Sequence, residues 1–160
     1  MKIAGNKLEY KAITDVVVFQ KGGEEIVFTV KAVIDEDIVD KLVPEPVPPS
    51  IRRKGDKEAK PDLDDQGYLE QLRKVSEYRI CYRILESLSA TEGLEWETVN
   101  REDPTTWMNW EKEMMEAGFS QLELDYLVTA IIKICGMSVV SMDAARADFL
   151  ALMPVEGQPQ

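Results

Sequence analysis

Five prolines fall between residues 44 and 61, in the stretch "PEPVPPSIRRKGDKEAKP". Each one restricts φ and withholds a backbone donor, so neither a helix interior nor a central strand can pass through. The chain is thereby cut in two. Residues 1–43 form a β-rich region and residues 66–153 a helical one. Residues 44–65 read as an extended, charged arm or linker, partly polyproline II in character. The last residues, 154–160, read as a tail that frays. The arm admits two readings. It is a solvated connector, or a partner-binding arm, with Pro46 and Pro48 as contacts, that orders on assembly.

Before the prolines, "YKAITDVVVF" and "EEIVFTVKAVI" are rich in Val, Ile, Phe and Tyr, and "QKGGEE" between them has two glycines free to adopt positive φ. A hairpin follows. In its second strand Ile26, Phe28 and Val30 alternate with Val27, Thr29 and Lys31, so one face is buried. "VVVF" lacks that alternation and is expected to be covered on both sides. A lone hairpin is marginal in water, so this one must pack on helices or pair with another chain. "DEDIVDKLV" at 35–43 has the spacing of a short helix.

After the prolines the apolar period changes to that of helices. The first helix spans about 66–89, capped by Asp64 or Asp65. Its stripe comprises Leu69, Leu72, Ile80, Ile84 and Leu88, with Cys81 and Leu85 beside it. A second helix begins at "DPTTW", with Asp103 as N-cap and Pro104 in the first helical position, and ends at Gly118. Ser120 and Glu123 then match a capping box, and Phe119 with Leu124 a hydrophobic staple. A third, strongly apolar helix runs over about 121–135, and Ser141 opens a fourth, "MDAARADFLALM". The fold class is α+β: an N-terminal β-hairpin or small antiparallel sheet, a proline-rich arm, and a mainly helical C-terminal part of about four helices.

All three tryptophans lie in "GLEWETVNREDPTTWMNWEKEM". Trp107 and Trp110 are three residues apart on one helix face, and Met114 continues that face. Trp96 precedes the helix and can fold back over the same edge. Two readings stay open. The residues are the bulky core stripe of an amphipathic helix, or Trp96, Trp107, Trp110 and Met114 form an aromatic docking patch.

Charge and chemistry exclude several classes. The net charge is −11. The single basic cluster, "RRKGDKEAK", is interrupted by acids, which disfavours direct binding to nucleic acid or an anionic membrane. No apolar run approaches the length of a membrane span, and "MKIAGNKLEYKA" lacks a signal-peptide core, so an intracellular protein is expected. The chain has no histidine, which removes the commonest general base and metal ligand. Carboxylate runs such as "DEDIVD" and "DLDD" fit solvated faces and caps. No phosphate-binding, dinucleotide or nucleophile motif is present. We expect no enzymatic activity, no cofactor and no metal. Cys81 and Cys135 read as reduced, buried thiols.

The order of these features resembles the tail assembly chaperones of long-tailed bacteriophages. The likeness covers most of residues 25–150 and rests on "PEPVPPSIRRKG", "DLDDQGYLEQL", the tryptophan segment, the turn "EAGFSQLE", and "ARADFL". It implies a non-catalytic protein of the host-cell cytoplasm. Such a protein binds the phage tape measure protein, helps recruit the major tail protein, and self-associates. In that picture helices 104–117 and 121–135 form the apolar client surface, and the arm near 44–61 links neighbouring copies. Two alternatives are a structural virion component of the tail or neck, and an acidic host-directed inhibitor.

Overall fold

The computed structural model describes residues 2, 3, 6, 7, 13–52, 55 and 57–136. The expected fourth helix of the C-terminal part, and the tail, lie outside the described residues. The described chain is α+β, as the sequence pattern implies. Strands β1 (Lys2–Ile3) and β2 (Asn6–Lys7) form a minimal antiparallel pair. The main hairpin pairs β3 (Thr14–Lys21) with β4 (Glu24–Lys31). Helix α1 spans Asp37–Leu42, and β5 (Ser50–Ile51) pairs with β6 (Lys60–Pro61). Helices α2 (Gln66–Leu88), α3 (Asn109–Glu116) and α4 (Gln121–Ile134) complete the fold, with a 3-10 turn at Pro104–Thr106 before α3. None of the described helices is long and apolar enough to cross a membrane.

The hairpin turns on two residues. Gly22 and Gly23 have φ of 59° and 91°, the left-handed geometry that matches the twist of the flanking strands. Lys21 therefore faces Glu24, and Val18 faces Val27. Because side chains alternate, Val17, Phe19, Phe28 and Val30 point inward and are buried. Val16, Val18 and Val27 point outward and are 58%, 48% and 47% exposed. The expectation that "VVVF" is covered on both faces is thus corrected. The helices cover only one side of the hairpin.

That cover comes from α2 and α4. From α4, Leu124, Leu127 and Ile131 are buried, and from α2, Cys81, Ile84, Leu85 and Leu88. Phe119 makes edge-to-face contacts with Phe19 and Phe28, both with centroids 5.5 Å apart, the arrangement that aromatic quadrupoles favour. Buried Ser87 donates from Oγ to the Lys31 carbonyl at 2.8 Å. Thr91 Oγ1 accepts from Thr29 N–H at 3.0 Å and donates to its carbonyl at 2.9 Å. The outer edge of β4 is thereby closed by the end of α2 and the residues after it.

The cap predictions at Asp65 and Ser120 hold at atomic level. Asp65 accepts from Tyr68 N–H at 2.8 Å. Asp103 accepts from Thr105 N–H at 3.0 Å, but it caps a 3-10 turn, and the α-helix expected from residue 104 begins only at Asn109. Ser120 and Glu123 form the reciprocal capping box. The apolar stripe of α2 holds only in part. Leu69 and Ile80 are exposed, whereas Tyr82 and Ser87 are buried. Leu69 lies in the N-terminal half, and Ile80 borders an open groove between α2 and α4. The C-terminal half of α2 lies against the hairpin and α4, and its N-terminal half projects past them.

The proline-rich stretch folds back on itself. Asp62 N–H donates to the Pro49 carbonyl at 2.7 Å, beside the β5–β6 pair. Residues leading into it are held down by α2. Arg79 bonds Asp40 at 2.7 Å and Glu45 at 3.5 Å, and Arg83 grips the Glu36 carboxylate with both Nε and a terminal nitrogen. Pairing with Glu36 holds the Arg83 guanidinium above its already high ordinary pKa, against the effect of burial.

Candidate functional site

Trp107 is fully buried. Its ring packs on Tyr82, centroids 5.5 Å apart, and meets Tyr78 edge-on at 6.4 Å. Its indole N–H donates to the carbonyls of Asn100 and Arg101, at 3.1 and 3.2 Å. Trp107 thus pins the preceding loop onto α2. Arg101 adds an ion pair with Glu86, which also binds Lys31 at 2.6 Å. Trp110 and Met114 are buried in the same core. The docking-patch reading of Trp107, Trp110 and Met114 is therefore corrected: an aromatic stripe with the hairpin–helix core available beside it is drawn inward by the area it removes from water. Trp96 is half-buried against that core. It lines a cleft of about 320 Å³ with Leu94, Met114 and the stems of Glu95, Glu113 and Glu116. Pro46 and Pro48 are each half-buried and lie apart from the tryptophans in sequence. Next to them, Glu45 contacts Arg79 at 3.5 Å and the Pro49 carbonyl accepts from Asp62 N–H at 2.7 Å.

Glu113 fastens this cleft. Its carboxylate accepts from the N–H groups of Glu97, Thr98 and Val99 at 2.9, 2.7 and 3.2 Å, and from the Thr98 hydroxyl. Burial pushes its pKa up, but the Thr98 hydroxyl and the three amides outweigh that, and the carboxyl lies below its ordinary value. A depressed carboxylate stabilises the fold above its unfolded pKa, and that contribution is lost as pH falls through the folded value. Glu113→Gln is therefore expected to lower stability at neutral pH by about 1–2 kcal/mol, the scale of charge-assisted hydrogen bonds. The difference from the natural chain shrinks on acidification below about pH 4.5. Urea unfolding at neutral and acid pH checks this. A gap that persists unchanged in acid overturns it.

At the opposite end, the tip of the hairpin is locked to the α3–α4 turn. Lys21 donates to Glu123 at 2.6 Å and to the Gly118 carbonyl at 2.9 Å, and its ammonium lies 5.1 Å from the Phe119 ring centre. Lys21 and the Ser120 N–H and hydroxyl hold the Glu123 carboxyl down to about 2. These charged groups are all partnered within the fold. They build structure.

What remains open is apolar. Between α2 and α4 runs a groove of about 410 Å³, lined by Ile80, Ile84, Val128, Ile131, Ile132 and Cys135, with Arg83 at its rim. Ile80 is 50% exposed and Ile132 44%. Among the described residues no side chain fills it. The groove is large enough for two or three aliphatic side chains, and its lining offers them little besides dispersion and water release. Periodicity had assigned Ile80 and Ile132 to helix faces without separating a face that meets the core from one that borders a groove. Cys135 caps α4, and its Sγ accepts from Val33 N–H at 3.4 Å. Cys81 and Cys135 are both free thiols. Burial pushes the Cys81 thiol up from its ordinary pKa. Comparison with models of known protein families, with curated proteins and with solved structures gave no match, so the case for a role rests on this groove and the fold that holds it.

Proposed function

We propose that the protein is a non-catalytic tail assembly chaperone of a long-tailed bacteriophage. It holds the helical, apolar tape measure protein in the host cytoplasm and helps recruit tail tube subunits. The observation that carries this reading is the apolar groove between α2 and α4. Two helix faces with aliphatic walls suit an amphipathic client helix, whose residues at i, i+3 or i+4, and i+7 would seat as anchors. The net charge of −11 supports the same reading, since it would keep a complex with an apolar client soluble. The resemblance in residue order supplies the client's identity. The tryptophan helix, by contrast, serves as the scaffold behind the groove and not as its lining.

The test is co-expression with the long helical reading frame encoded nearby, followed by solubility and co-purification. The expected result is a soluble client that travels with this protein, and purified particles that lack this protein. A client that stays insoluble while this protein is folded and abundant overturns the proposal. Recovery of the protein as a stoichiometric part of purified particles would favour a structural virion component.

A further inference from the structure

The cleft lined by Trp96 has apolar walls and an acidic rim. Leu94, Trp96 and Met114 form the walls, and Glu95, Glu97 and Glu116 stand exposed around them. No residue lining the cleft is basic. Glu113 is committed to the loop amides and the Thr98 hydroxyl. The side chains of Glu95 and Glu97, by contrast, make no hydrogen bond or ion pair among the described residues. Glu116 meets Lys112 at 3.6 Å, one turn apart on α3, but both are well exposed, so water screens that pair and it contributes little. Like charges gathered at an apolar wall focus a negative potential into the cleft. The fold itself makes no use of these three carboxylates.

We infer that this cleft seats an arginine side chain from a basic segment of a partner protein. Charge complementarity selects a cation, and the indole selects its shape. A guanidinium is planar, stacks on an aromatic face and is less strongly hydrated than an ammonium, so it loses less when water is excluded. Its fork can donate to carboxylates at the same time, and Glu95 and Glu97 flank Trp96 along the chain. At about 320 Å³ the cleft has room for such a side chain, with its aliphatic stem against Leu94 and Met114. Residues beside the arginine have a seat as well. Glu116 also borders an open depression on the outer side of α3, where Met108 and Met115 are 50% and 49% exposed. Methionine adapts to varied apolar shapes, so the segment that fits carries apolar residues next to its arginine. This site is separate from the α2–α4 groove and does not depend on the chaperone reading.

Titration of the full chain with an end-blocked peptide of alternating arginine and leucine tests this. Tryptophan emission reports Trp96, because Trp107 and Trp110 are buried. The expected result is a saturable change in emission. The same peptide with citrulline, which keeps the shape and lacks the charge, is expected to bind about tenfold more weakly or worse, and the lysine version less tightly than the arginine one. Glu95→Gln with Glu97→Gln is expected to weaken binding of the arginine peptide by about tenfold. Glu24→Gln with Glu58→Gln removes the same charge at exposed positions outside the cleft and should leave binding within about twofold, since salt screens distant charges. Absence of a saturable change overturns the inference. So does a citrulline or lysine peptide that binds equally well, or a remote pair that weakens binding as much as the cleft pair. Should the cleft pair fail to fold, Glu116→Gln tests the same rim from α3.

Discussion

Trp107→Ala is expected to destabilise the fold by about 3–5 kcal/mol, the cost of deleting a fully buried large aromatic. Two losses combine. The ring leaves Tyr78 and Tyr82 facing a void, and the carbonyls of Asn100 and Arg101 lose their indole donor. Because small proteins are stable by only about 5–15 kcal/mol, this is a large fraction of the total. The thermal midpoint is expected to fall by about 10 °C or more. Trp107→Phe separates the two losses. It retains most of the ring packing and forfeits the N–H, and should cost about 1–3 kcal/mol. A Trp107→Ala variant that melts within a couple of degrees of the natural chain, roughly the shift from 1 kcal/mol at this size, would show that the ring is not the pin described above. Loss of client binding in Trp107→Ala is accordingly an uninformative result about docking, since the scaffold itself fails.

Ile132→Glu is expected to do the opposite: abolish client solubilisation and leave the fold standing. Ile132 is 44% exposed on the wall of the groove, so its replacement exposes little new apolar surface. Stability should change by no more than about 1 kcal/mol. A client side chain seated against it, however, would have to desolvate a carboxylate, and affinity should fall by about 100-fold or more, on the order of 3 kcal/mol. Ile80→Glu on the facing helix should behave alike. Pull-down of the co-expressed client, with melting curves in parallel, checks both. If the two variants retain the client as well as the natural chain does, the groove is not its seat.

The features legible in the sequence were those decided by residues close together along the chain. The turn at Gly22 and Gly23, the caps at Asp65 and Ser120, and the helix stop at Gly118 each depend on a few neighbours and were read correctly; Asp103, read as the cap of the tryptophan helix, caps a 3-10 turn before it. The alternation of Ile26, Phe28 and Val30 identified the buried face of β4. What failed was any choice between two apolar faces. "VVVF" gave no sign of which valines the helices would leave bare. The tryptophan helix could equally have faced in or out, because the deciding partners, Tyr78 and Tyr82, lie on a different helix. Glu113 looked like one acid among many; its role depends on three amides that only the folded loop brings together. The groove was illegible for the same reason. Its walls, Ile80 and Ile132, sit 52 positions apart by their residue numbers.

The lock between Lys21 and Glu123 joins residues 102 positions apart, and it sets an order of events during synthesis. The hairpin leaves the ribosome complete, with Val17, Phe19, Phe28 and Val30 bare, long before Phe119 and α4 arrive to cover them. A two-stranded ribbon has little stability of its own. The nascent chain therefore carries an unshielded, strand-forming segment for most of its translation, and closure of the core waits for α4, the last described helix. Hydrogen exchange should register that order as cooperative opening of β3, β4 and α4 together, while the loop held by Glu113 and Trp107 opens as a separate unit.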